Sequence, residues 1–172
     1  SKAVDTAQQL ADQMAAIDQT LGDIELKRIQ DNAQLDKNKR IVDDVTKSEE
    51  ERLAALQENF TIQAANDSDS LTALNKKLKL QAEEVRKAKS ALNFELNAAL
   101  KEQLNLEKEI AKLNDEFTIR EREYVDDIEN VKNFNINQEK EREKELAAQR
   151  KKFLDDREKG EKKIAAIILK LQ

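Results

Sequence analysis

Apolar residues recur at Leu10, Met14, Ile17, Leu21 and Ile24, spaced 4, 3, 4 and 3. This is the seam of a helix that buries one side against a neighbour. The seam then slips. Ile24 to Leu35, Val42 to Leu53 and Val45 to Leu56 are eleven-residue steps, which relax or reverse a left-handed supercoil. The pattern predicts a long helix over about residues 2–64. A second, better-ordered seam starts at Leu71, Leu74 and Leu78. It continues through Val85, Leu92, Leu96, Ala99, Gln103, Leu106, Ile110, Leu113, Phe117, Tyr124 and Ile128 to Val131. It predicts a helix over about residues 71–133. A second row, Leu96, Leu100 and Leu104, lies beside this seam, and Leu26, Ile29, Leu80 and Ile119 widen the apolar face. A two-stranded seam needs no such width, so the stripe points to a bundle of three or more helices. The plainer alternative is apolar side chains at the edge of an interface.

Between the two segments, residues 64–71 read AANDSDSL. Asn66 suits a helix end, and Asp69 or Ser70 suits the cap of a helix starting at Leu71. The turn is therefore placed at 65–70, between arms of matched length. The alternative is one uninterrupted rod. At residues 133–138, NFNINQ pairs Asn135 with Gln138 as in a capping box, yet the seven-residue phase runs on through Val131, Asn135, Gln138, Arg142 and Leu146. We place a break there, followed by a third helix over about 139–172 with a sparse seam of Leu146, Phe153, Ile164, Ile167 and Leu171. The expected fold is all-α, a single elongated unit: a long antiparallel helical hairpin plus a third C-terminal helix, assembling as a coiled coil or helical bundle.

Composition supports that picture. Of 172 residues 39% are charged and 3% aromatic, with two glycines and no proline. Such a mixture makes long solvated helices more easily than a compact core. The absence of Cys and His excludes disulfides, thiolate nucleophiles, zinc–sulfur sites and Ser/His triads. Two isolated glycines form no phosphate-binding loop. We expect no enzymatic activity and no cofactor, with low-affinity calcium as the one possible exception. Its candidate ligands are Asp67 and Asp69, flanked by Asn and Ser oxygens. The EF-hand pattern is absent, because Thr72 and Leu78 stand where it needs Gly and Glu. A cap-and-turn role is preferred for the two aspartates. Acidic doublets at Asp43–Asp44, Asp126–Asp127 and Asp155–Asp156 read as solvated faces. Sequons at Asn59 and Asn66 would matter only in a secretory pathway.

Charge is uneven. Residues 1–65 carry 8 basic and 13 acidic groups, residues 66–137 carry 12 and 15, and residues 138–172 carry 11 and 8. An acidic body with a basic end suits contact with its own copies; the alternative is a solvated surface of uneven composition. Acidic residues interrupt the basic segment, and no aromatics are interleaved to stack bases, so no nucleic acid partner is expected. The apolar stretch IAAIILKL, residues 164–171, is far short of the roughly twenty residues that span a bilayer. A bundle interface is its commoner use, and a membrane partner is not expected. The chain opens on Ser1 rather than Met, and we read it as a product of proteolysis in preference to a cut fragment.

The small acidic chain without Pro or Cys, its long heptads, 13 Asn and 13 Gln, and an N-terminus at SKAVDTAQQ together resemble the ciliate trichocyst matrix proteins and their granule-lattice relatives. The resemblance covers composition and periodicity over the whole length. It implies a product packed in the crystalline core of a secretory granule, released by exocytosis, with a lattice that responds to calcium. The expected function is thus structural: self-assembly of the chain with its own copies or related chains into a filament or lattice. The alternatives are a cytoplasmic coiled-coil scaffold or cytoskeletal component, or the stalk of a larger complex.

Overall fold

A computed structural model describes residues 2–90 and 95–172. Three helices account for nearly all of them: α1, Lys2–Asp43; α2, Glu49–Ser90; and α3, Leu96–Leu171. Among the described residues there is no strand, and the fold is all-α, a helical bundle.

The hairpin turn lies at residues 44–48, not at 65–70. The local chemistry explains why. Ser48 caps α2, its Oγ accepting from the Glu51 N–H at 3.1 Å. Three glutamates, Glu49, Glu50 and Glu51, fill the first turn, where the helix dipole favours negative charge. Ahead of the cap, Asp44 Oδ1 accepts from the Thr46 N–H at 3.0 Å and from the Thr46 hydroxyl at 2.6 Å, which folds the loop on itself. Arg52 reaches back across the turn, and its Nε donates to the Val42 carbonyl at 2.7 Å, satisfying an orphan acceptor at the end of α1. The arms are not the expected 2–64 and 71–133; they are α1 and α2, each 42 residues long, or about 63 Å.

Residues 65–70 are continuous helix within α2. Asn66, Asp67 and Ser70 are buried. The Asn66 amide nitrogen, the Asp67 carboxylate and the Ser70 hydroxyl bond to other helices, so none closes a turn. The expected helix over 71–133 is also divided, since α2 ends at Ser90 and α3 begins at Leu96; the seam residue Leu92 lies outside the described residues. Residues 133–138 are helical, so the break placed there is absent. Asn at those positions costs well under about 1 kcal/mol each in a helix, and no Pro or Gly stands there to force a stop.

The chain divides into two compact units, Ser1–Ile128 and Glu129–Gln172, in place of one. In the first, α2 runs antiparallel to α1 and α3 antiparallel to α2. The paired positions show this: Lys77 with Asp18, Arg28 with Asp67, Gln81 with Ala99 and Arg120 with Asp67. Leu74, Leu106 and Leu113 form the core, with Leu21, Leu71, Leu78 and Ile110 packed against it. The second unit is a length of α3. From residue 136 to 172 every residue is exposed except half-buried Gly160. Ion pairs one turn apart, Arg157–Glu161 and Glu158–Lys162, both at 3.3 Å, support it by a few tenths of a kcal/mol each.

Candidate functional site

Asp67, expected as a calcium ligand beside Asp69, is instead the centre of a buried ion-pair network. It is 1% exposed. Arg28 Nη2 on α1 donates to its Oδ1 at 3.1 Å, and Arg120 Nε on α3 donates to its Oδ2 at 2.9 Å. Arg28 also donates to Ser70 Oγ at 3.1 Å. Both carboxylate oxygens are thus held by guanidinium groups. Asp69 is exposed, and two residues along a helix turn the side chain by about 200°. The two aspartates therefore cannot share an ion. Among the described residues, no group of three or more acidic side chains could hold a metal.

This network belongs to a ladder of polar contacts across the helices. Asn66 Nδ2 donates to Asp31 Oδ2 at 3.0 Å. Asn38, 2% exposed, accepts from Gln34 at 3.1 Å and donates to Asn59 Oδ1 at 2.9 Å. Asn59 Nδ2 in turn donates to the Leu35 carbonyl at 3.1 Å, and buried Gln81 Nε2 donates to the Ala99 carbonyl at 2.9 Å. Both sequon asparagines are thus engaged in the bundle through their amide nitrogens. None of these partnerships was anticipated, although a signal existed. The eleven-residue step from Ile24 to Leu35 is filled at the same spacing by Arg28 and Asp31, and Asn38 and Val42 continue it. The seam does not slip; its positions turn polar.

Beside the ladder, a cleft of about 580 Å³ opens among the three helices of the first unit. Phe60 and Tyr124 stack in its wall, with ring centroids 4.4 Å apart, and Phe117 leans on Phe60 at 6.5 Å. The mouth is charged, carrying Asp36, Asp43, Glu123 and Asp127 with Lys39 and Arg120. Burial pushes the Asp127 carboxyl above the usual carboxylate range, and the nearby carboxylates of Glu123, Asp126 and Asp43 push it the same way. Arg120 turns its Nε to Asp67. Asn59 and Arg120, which line the cleft, also make the interhelical contacts described above.

The remaining candidate surface is apolar. The expected second row is uncovered, with Leu100 and Leu104 exposed and Leu96 half-buried. Leu26, Ile29, Ile119 and Val125 are exposed as well. In the second unit, Leu146, Phe153, Leu154, Ile164, Ile167, Ile168, Leu169 and Leu171 all lie open, Leu171 at 82%. No protein-family model matches the chain, and neither the curated proteins nor the solved structures hold a significant match.

Proposed function

We propose that the chain is a non-catalytic structural protein that assembles with copies of itself, or with related helical chains, into a filament or lattice. The observation that carries this reading is the open apolar surface of residues 146–171. An isolated helix gains little from propensity and ion pairs alone, and most helix stability in proteins comes from burying an apolar face. Large open apolar surface marks a contact with a partner. The uneven charge adds direction: residues 1–128 carry 19 basic and 27 acidic groups, and residues 129–172 carry 12 and 9. No helix among the described residues is long and apolar enough to cross a membrane.

The resemblance to trichocyst matrix proteins extends this reading to the interior of a secretory granule, where calcium would act on the lattice. That extension rests on composition and periodicity. Light scattering and sedimentation on the purified chain, across ionic strength and with or without millimolar calcium, test both levels. Assemblies that grow with concentration support the structural role, and a size change with calcium supports the granule setting. A discrete, calcium-indifferent dimer or tetramer would replace the lattice with a scaffold or stalk.

A further inference from the structure

We propose that copies of this chain join head to tail, the segment 164–171 of one seating in an apolar groove of the next. This deepens the assembly reading above and rests on it. The groove is a cavity of about 910 Å³ in the first unit, where the start of α1, the end of α2 and the start of α3 meet. Its floor is Leu10, Ala88 and Ala99, all buried, and its walls include Ala7 and Ala98. Among the described residues, small methyl side chains from three helices line it.

The occupant is present on the same chain. Ile164, Ile167, Ile168 and Leu171 are all exposed and fall at i, i+3, i+4 and i+7, one face of a helix. Charge selects the pairing. Residues 150–172 carry 8 basic and 4 acidic groups. Glu84, Glu95 and Glu102 stand at the groove against Lys2 and Lys87, on a unit that is acidic as a whole. Two C-terminal segments packed on each other would bring like charge together; a segment on a groove brings opposite charge together. Each copy carries one groove and one segment, so the contact is heterologous and propagates as an open chain unless rotation closes it into a ring.

Two double variants of the full chain test this. Ile167→Asp/Leu171→Asp spoils the segment. Ala7→Arg/Ala98→Arg blocks the groove, at positions exposed in the single copy and so tolerated by its fold, which circular dichroism checks. In sedimentation velocity the wild type forms chains longer than a dimer. The segment variant associates about a hundredfold more weakly, the scale set by losing two buried apolar side chains, and the groove variant, with two arginines in the way, loses association as well. Mixed one to one, the variants form a dimer and nothing longer, because only one intact segment and one intact groove remain. Failure of the mixture to pair overturns the contact. Full assembly by the groove variant alone also overturns it and assigns the segment to another surface, while the assembly reading survives. A wild-type chain that stays monomeric at every concentration overturns the head-to-tail contact and self-assembly together, and leaves of the reading above only assembly with related chains.

Discussion

Asp67 holds two arginines from two different helices, and its removal leaves both without their shared counterion in a partly buried crossing. Asp67→Ala is expected to cost about 3 kcal/mol in urea unfolding, the range for breaking a buried pair from one side. Replacing all three partners by apolar residues, as Arg28→Met/Asp67→Leu/Arg120→Met, is expected to restore that stability or exceed it, because the desolvation of three charges disappears with them. Such a bundle would lose its register mark, and amide exchange would report slippage between helices. Asp127 and Asp44 act in opposite directions with pH. The Asp127 carboxyl is raised, so the folded chain binds its proton more readily than the unfolded chain. Its contribution is fullest below the ordinary carboxylate value and is lost as pH rises through the raised one. Asp127→Asn is therefore expected to stabilise the protein at neutral pH and to remove that slope, as pH-dependent melting would show. Asp44 is lowered by the Thr46 hydroxyl and N–H that it accepts. Its contribution is present above the ordinary value and is lost in stronger acid, below the window of Asp127.

At the level of the helices, the cap at Ser48 decides where the hairpin turns. Ser48→Ala is expected to cost about 1 kcal/mol, measurable as a shift in urea midpoint at constant slope. The sequence carried this signal plainly in SEEE at residues 48–51, a Ser followed three residues later by Glu. The eleven-residue steps Val42 to Leu53 and Val45 to Leu56, read as slips within one helix, pass over it, and five polar residues at 66–70 suit a turn equally well. Polar residues in a row do not distinguish a solvated loop from a helix face that bonds across a bundle. Only the helix opposite distinguishes them, and periodicity does not identify that helix. Helical class and the uncovered row at Leu100 and Leu104 were legible because each follows from spacing alone; the matched arms placed at 2–64 and 71–133 were not those of the structure. The pairing of Arg28 and Arg120 with Asp67 was not legible, because it joins residues 39 and 53 positions apart. Positions where an apolar period continues in Arg, Asp or Asn are the trace such a crossing leaves in a sequence.

For the molecule as a whole, the two units differ in what holds them. The first has Leu74, Leu106 and Leu113 closed inside it; the second has open side chains and ion pairs one turn apart. Local stability follows buried contact. Amide protection in residues 139–171 is therefore expected to rise with protein concentration, while protection around Leu74 and Leu106 stays constant. A concentration-independent pattern in both would remove the support for assembly through the second unit. Added salt is expected to weaken association by screening the basic segment from its acidic counterpart, read as smaller species by light scattering. The stacked pair in the cleft wall gives these experiments a built-in optical probe. Tyr124 is the chain's one tyrosine, and there is no tryptophan, so near-ultraviolet emission comes almost wholly from a single phenol lying 4.4 Å from Phe60. That emission reports the closing of α2 on α3 and nothing from residues 129–172, which contain neither fluorophore. Unlabelled protein can thus signal the folding of its bundle in one channel while its assembly is followed, separately, by scattered light.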